Sequence, residues 1–331
     1  MFFVKVLVIG CGSIGRRHIK NALVLGHRVA AVDISKEHRR WVEENLKVRT
    51  YGNIEEAIKN ERPTVGFVCT PPSSHISIAR ALVGHDMHLF IEKPLSNSLV
   101  GIDDLIKEAK IRRRRIAVGY NLRFNRGVIK IKELIDSGAI GKILFSRITV
   151  GQYLPDWRPW QDYRQSYTAK KSMGGGVILD ASHELDYARW FMGKVSAVTC
   201  IAKKVSALDV ETEDNADIIL EFKSGSVANI HLDFVRRDYK RGCEIVGEKG
   251  TLELFFGERI DWYNATTKKI RKIGIREDTN NMYVAEIKHL LDCIKKSKEP
   301  IVNAEEGKKS LILALEAKRA AEKKRTVEVA L

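Results

Sequence analysis

An apolar run, Val4, Val6, Leu7, Val8 and Ile9, enters the turn Gly10-Cys11-Gly12-Ser13-Ile14-Gly15, and a helical stretch follows before a second apolar run ends at Asp33. Strand, glycine turn, helix and strand in that order make a βαβ unit. Gly10 permits the tight turn, Gly12 lets the backbone approach a pyrophosphate, and Gly15 lets the helix pack closely on the strand. The N–H groups that open the helix, beginning at Ser13 and Ile14, then face the phosphates. Asp33 falls eighteen residues after Gly15, at the carboxyl end of the second strand. A carboxylate there accepts hydrogen bonds from both ribose hydroxyls and repels a 2′-phosphate, so the pattern predicts a dinucleotide site that takes NAD in preference to NADP. Lys36, Arg39 and Arg40 lie just beyond. They are placed either to grip a 2′-phosphate or to form an exposed basic helix face, and the second use is the plainer one.

A chain of 331 residues has room for two domains, and 44% hydrophobic with 30% charged residues belongs to a soluble globular protein. The longest apolar stretches are strand-sized and broken by charge, so neither a membrane span nor a signal peptide is expected and the reading is cytoplasmic. Five scattered cysteines, none in a C-x-x-C pair, argue against a disulfide framework and a structural zinc site. A net charge of +15 admits nucleic acid, an acidic surface or an anionic small substrate. The dense run Arg112 to Arg115 has no aromatic residues interleaved, which makes it a solvated surface rather than a nucleic-acid site.

Strands and helices keep alternating after Asp33. Strands are expected around Val48 to Tyr51, Val65 to Cys69, Met87 to Ile91 and Ile116 to Gly119, which brings the count to six. Single helices between them imply right-handed crossovers and a parallel sheet, with ligands beyond the carboxyl ends of the strands. Past residue 121 the pattern changes to long strand-like segments: Ile143 to Gln152, Val195 to Val205, Ala216 to Phe222, Ser226 to Phe234, Cys243 to Val246 and Thr251 to Phe255. Short turns such as Lys223-Ser224-Gly225 join them, and consecutive hairpins make a mostly antiparallel sheet. Two amphipathic helices close the chain. The fold class is therefore α/β: a doubly wound Rossmann sheet in residues 1–121, then an α+β domain with an open, mostly antiparallel sheet in residues 122–331, for substrate binding and oligomerisation.

Five segments, in order, resemble the glucose-fructose oxidoreductase, inositol dehydrogenase and rhizopine-catabolism (Gfo/Idh/MocA) family. They are Gly10 to Arg16, Thr70-Pro71-Pro72-Ser73-Ser74-His75, Glu92-Lys93-Pro94, Tyr120-Asn121-Leu122-Arg123-Phe124, and Gly174-Gly175-Gly176 through Asp180 and His183 to Asp186. The resemblance implies that Thr70, Pro71, His75, Glu92 and Lys93 join Gly10, Gly12, Ser13, Ile14, Gly15 and Asp33 in binding the nicotinamide cofactor. It also suggests a cis Lys93-Pro94 bond.

Lys93 follows a strand and precedes a proline, which holds it extended and fixes where its side chain points. Partial burial there lowers an ammonium pKa toward useful proton exchange. The resemblance implies that it hydrogen-bonds the reacting oxygen. Asp180, His183 and Asp186 recur at three-residue spacing, so on one helix they share a face, and carboxylates beside an imidazole hold it in one tautomer. By resemblance His183 is the base that takes the hydroxyl proton and Asp180 assists it. The common family pattern has aspartate four positions before histidine with a glycine between, whereas here the interval is three and Ser182 replaces the glycine. Either Asp180 reaches the site through a shifted turn, or Glu184 or Asp186 takes its place.

Aromatic and basic side chains crowd Tyr153 to Met173, including Trp157, Arg158, Trp160, Tyr163 and Arg164. Aromatic faces stack on sugars and arginines clamp anions, so Trp160, Tyr163 and Arg164 are substrate-binding candidates, and the resemblance adds Tyr120, Arg123 and His183. A packed interface loop is the other use of such a composition. The reading is an NAD-dependent dehydrogenase oxidising a secondary alcohol of a sugar, nucleotide sugar or cyclitol, preferably anionic, to a ketone, or the reverse. It needs no metal, nucleic acid or membrane, and it is expected as a homodimer or homotetramer. The alternatives are a cofactor-sensing regulator and an NAD-dependent glycoside hydrolase.

Overall fold

Six short strands, β1 (Lys5–Ile9), β2 (Arg28–Val32), β3 (Arg49–Tyr51), β4 (Val65–Val68), β5 (His88–Ile91) and β6 (Ile116–Val118), pair in parallel in the order β3-β2-β1-β4-β5-β6. The computed structural model describes residues 3–329. Val6 to Ile9 and all of β4 are buried, as strands covered on both faces by crossover helices must be. The strand order reverses between β1 and β4, which puts the switch point at the carboxyl ends of those two strands. Local chemistry starts the helices: the Ser35 side chain caps the helix Lys36–Leu46, and Asn53 accepts from Glu55 and Glu56 at the head of Ile54–Glu61.

This first unit takes the chain through Tyr120 together with Tyr283–Lys308; the second takes Asn121–Met282 together with the chain from Lys309 onward. The expected division at residue 121 treats the halves as contiguous, whereas the late helix Asn280–Lys296 sends Ile287, Leu290 and Leu291 into the core of Val6, Val8, Ile19, Phe67 and Phe90. An amphipathic face records that a helix packs, not on which sheet. The Val118 N–H also donates to the Val302 carbonyl, which ties the same returning segment to β6.

In the second unit nine strands form one sheet: β7 (Ile143–Gly151), β8 (Val195–Lys203), β9 (Asn215–Phe222), β10 (Val227–Asp233), β11 (Lys240–Gly247), β12 (Gly250–Phe255), β13 (Arg259–Asn264), β14 (Lys269–Gly274) and β15 (Val327–Glu328). Their order is β14-β13-β12-β11-β7-β10-β9-β8-β15, antiparallel throughout except where β7 runs parallel to β10. Consecutive hairpins alone do not produce that central pair, since β7 enters between two later strands. β13, β14 and β15 were not read from the sequence. β14 reads Lys269-Ile270-Arg271-Lys272 without alternation, because it is an exposed edge whose charges discourage further pairing. Elsewhere alternation is plain: Ala216, Ile218, Leu220 and Phe222 are buried, while Asp217, Ile219 and Glu221 face out. The helix His183–Met192 packs on the inner face, where Ser146 of β7 donates to the Met192 sulfur at 3.1 Å.

Among the described residues no helix is long and apolar enough to cross a membrane. All five cysteines are free thiols in buried positions.

Candidate active site

Gly10 adopts φ +97°, and a Cβ there would stand 2.6 Å from the Cys69 carbonyl oxygen. At Gly15 a Cβ would stand 1.8 Å from the Gly10 oxygen, so the helix start and the strand end close on each other without space for a side chain. Gly12 is the opposite case, since nothing lies within 4 Å of where its Cβ would be. No side chain caps the helix Ser13–Val24, which leaves its first N–H groups to an outside acceptor. At the end of β2, Asp33 accepts from the Cys11 N–H on Oδ2 and the Ser35 N–H on Oδ1, both at 2.7 Å, and His38 Nδ1 lies 3.2 Å from Oδ2. Burial first, then the Asp33 charge, pushes the Cys11 thiol up to about 12, so it stays neutral beside the turn. Arg39 donates to the Asp33 carbonyl at 2.6 Å and Arg40 pairs with Glu44 at 2.8 Å.

Beyond β4 the Ser74 hydroxyl donates to Thr70 Oγ1 at 2.8 Å, and Pro71 leads into a short turn. His75 is fully buried, with Nδ1 3.0 Å from the Pro94 carbonyl and Nε2 2.8 Å from the Thr70 carbonyl. It clips two loops together rather than reaching outward. Glu92 at the end of β5 is buried too; its Oε1 lies 2.6 Å from His18 Nε2 and its Oε2 accepts the Lys93 N–H at 3.2 Å. Lys93 itself is half-buried, and the Lys93-Pro94 bond is cis.

In the second unit the short helix Val177–Asp180 stops at Ala181, and His183 opens the helix His183–Met192. Asp180 and His183 therefore do not lie on one continuous helix face. The Asp180 carboxylate accepts from the Tyr167 hydroxyl on Oδ1 and the Thr168 hydroxyl on Oδ2, each at 2.7 Å. The other two carboxylates weighed for its role are held by arginines. Glu184 takes Arg241 at 2.8 and 3.1 Å, and Asp186 takes Arg123 at 2.6 and 3.0 Å together with the Ser310 hydroxyl. Both pairs are bidentate, the Arg123–Asp186 pair fully buried and the Arg241–Glu184 pair partly so, which fixes geometry as well as charge.

The substrate candidates separate. Arg123 is 5% exposed, bound to Asp186 and stacked 4.5 Å over Trp190, so its guanidinium is engaged within the fold. Tyr120 is fully buried. Trp160 is 73% exposed, and Arg164 is an exposed partner of Asp162. Tyr163 differs: with Trp157, Arg158, Ser166 and Thr168 it lines a shallow surface cleft, and its hydroxyl accepts the Asp209 N–H at 3.1 Å. Through Thr168 this cleft adjoins the Asp180 carboxylate.

Residues 4–120 match the family model described as oxidoreductase family, NAD-binding Rossmann fold, and residues 128–253 match the GFO/IDH/MocA C-terminal domain. The myo-inositol 2-dehydrogenase of Thermotoga maritima is 30% identical over 98% of both chains. The chain belongs to the Gfo/Idh/MocA oxidoreductase family. An inositol 2-dehydrogenase of Burkholderia ambifaria is 28% identical over 76% of this chain and 74% of its own. Levoglucosan dehydrogenase in complex with NADH and levoglucosan superposes with a TM-score of 0.89 at 19% identity over the whole of both chains, a likeness of fold.

The first unit is thus the NAD-binding domain of a Gfo/Idh/MocA oxidoreductase, and its residues fit that cofactor. The open face of Gly12, the uncapped helix start and the remaining lone pairs of Asp33 offer a phosphate and a ribose what they need. Sequence reasoning missed His18, Thr168, Arg241 and Ser310, and it took Tyr167 as one of the aromatics of Tyr153 to Met173 without its bond to Asp180. His18 sits in the motif helix as one buried position among several, and the others meet their carboxylates only through the folded chain.

Proposed function

We propose that this chain oxidises a secondary ring alcohol of a cyclitol or sugar, an anionic one, to the ketone, or runs the reverse reduction. What carries the reading is the whole-length identity with a cyclitol dehydrogenase in a chain that keeps Lys93 after β5 and His183 at the head of its helix. NAD, when bound, accepts hydride at its nicotinamide ring. Gly10 to Gly15 and Asp33 hold and orient it, with Thr70 and Pro71 shaping the adjoining loop. His75 and Glu92 act one step back, holding the Lys93-Pro94 turn. Lys93 donates a hydrogen bond from Nζ to the reacting oxygen, and an imidazole nitrogen of His183 takes the hydroxyl proton. Asp180 is the carboxylate that assists His183, because Glu184 and Asp186 are already committed to arginines. Arg158 and Tyr163 in the cleft recognise the substrate, which is where a preference for anions enters.

Free buried thiols support a reducing, cytoplasmic setting, and the open face of the nine-stranded sheet supports a homodimer or homotetramer. The test is to incubate the protein with NAD and a panel of inositols, uronates, sugar phosphates and nucleotide sugars. Steady NADH formation with a ring alcohol is expected. Substrate turnover without net NADH would instead identify the glycoside hydrolase, and tight NAD binding with no turnover on any class would identify a regulator.

A further inference from the structure

Three elements of the first unit each send one ionisable side chain to the same interior point: His18 from the helix Ser13–Val24, Glu92 from the end of β5 and Glu286 from the helix Asn280–Lys296. They are 0, 8 and 3% exposed, and a nitrogen or oxygen of each lies within 4.8 Å of the others. His18 Nε2 and Glu92 Oε1 pair at 2.6 Å, while His18 Nδ1 is buried with no hydrogen-bond partner among the described residues. Both oxygens of Glu286, by contrast, are shut off from water and have no hydrogen-bond partner among the described residues. The surroundings are apolar or aromatic: the rings of Phe67, Phe90 and Tyr283 stand 5.9, 4.9 and 6.2 Å from that of His18. Cys69 faces the group from the end of β4, its thiol raised by burial and then by Glu92, with a smaller contribution from Glu286. Arg17 is the nearby cation named by the packing, and it is spent over the Tyr283 ring at 4.3 Å.

A carboxylate in that position is shut off from water, has no hydrogen-bond partner among the described residues and has a second carboxylate beside it, so carrying a proton is cheaper than carrying a charge. We propose that Glu286 is held as a neutral carboxylic acid in a buried proton site shared with Glu92 and His18, and that the proton it gives up on unfolding makes the first unit less stable as pH rises. Burial, and after it the charge of Glu92, push the Glu286 carboxyl well above the ordinary carboxylate range. The same three side chains form a plausible ligand set for a divalent ion, but the geometry favours the proton. Two ligands at right angles on a common ion with bonds of about 2.1 Å keep about 3 Å between them, whereas His18 Nε2 and Glu92 Oε1 stand 2.6 Å apart, a hydrogen bond.

The sign of the linkage follows. Below the ordinary glutamate pKa of about 4.3 both native and unfolded chains hold the proton, and Glu286 leaves stability unchanged with pH. Above it the unfolded chain releases the proton and the native chain keeps it, so stability falls as pH rises, until the native carboxyl itself ionises. Glu286→Gln keeps the shape and the neutrality while removing the titration. In the full chain labelled with carboxyl-13C glutamate, NMR is expected to show one side-chain signal in the protonated position at neutral pH, absent from Glu286→Gln. Glu286→Gln is also expected to melt roughly 5 °C or more above the unmodified protein at pH 8 and close to it at pH 5. Should the variant fold poorly, the titration of that signal in the unmodified protein still decides. The proposal is overturned if every glutamate is ionised at neutral pH, if Glu286→Gln melts lower at every pH, or if the unmodified protein carries a stoichiometric divalent metal that the variant loses.

Discussion

Asp33 spends one lone pair on each of two backbone N–H groups, which aims the carboxylate in advance for the ribose role proposed for it. Asp33→Ala is expected to weaken NAD binding and relax discrimination against NADP, by fluorescence titration of both cofactors. Tighter NADP binding in the unmodified protein would refute the role given to this carboxylate. The roles proposed for Lys93 and His183 are in the chemistry rather than in affinity. Lys93→Ala and His183→Ala are each expected to lower turnover about a hundredfold or more while NAD affinity stays within a few-fold, the scale of a lost acid–base group. Near-normal turnover in either variant removes that residue from the mechanism. Asp33 and the glycines were legible in the sequence because a motif fixes them by local geometry. His75, Glu92 and Arg123 stand within motif segments as well, yet their side chains face inward to carbonyls, His18 and Asp186, a choice that spacing alone does not record.

The helix His183–Met192 shows what an element adds. Its first residue is the proposed base, and the acids next to it are drawn to Arg241 of β11 and to Arg123, so two bidentate ion pairs hold the helix start in place. Removing one partner strands the other charge. Arg123→Met is expected to destabilise the second unit by about 3–5 kcal/mol, read from urea unfolding. The double variant Arg123→Met/Asp186→Leu should recover part of that loss, since no charge is then left unpaired. Equal loss in the single and double variants would show that packing over Trp190, at 4.5 Å, carries the effect instead. Elements of this kind were legible as strands and helices wherever apolar periodicity was strong, as in β9 and β10. The short edge strands and the break at Ala181 were not, because charge on an edge and a single interrupted turn leave no period to read.

At the scale of the whole molecule the nine-stranded sheet poses the last question, because one of its faces has helices and the other does not end in a uniformly polar surface. Across neighbouring strands the outward row Ile201, Asp217 and His231 lies beside Ile219, Asn229 and Arg147, and then Glu221, Val227 and Phe145. Ile201, Ile219, Val227 and Phe145 are all exposed. Several of the charges among them are matched locally: Arg147 reaches Glu244 at 3.9 Å, and His231 reaches Asp217 at 2.8 Å and Asp233 at 3.4 Å, and the Asp233 bond above all, with that to Asp217, raises it to about 9 against the pull of burial. His231 is therefore cationic at neutral pH but neutralised within its own strand pair, so a partner need not supply its counter-charge. A face of apolar residues separated by locally satisfied charges is what an isologous contact between two copies uses, since each copy meets the same surface without repulsion. Light scattering at micromolar concentration is expected to give at least twice the monomer mass. Ile219→Asp sets like charges beside each other near the centre of that face and is expected to yield monomers whose first unit still binds NAD. A monomer mass for the unmodified protein, or an unchanged mass for Ile219→Asp, would leave this face to solvent and send the search for a self-contact elsewhere.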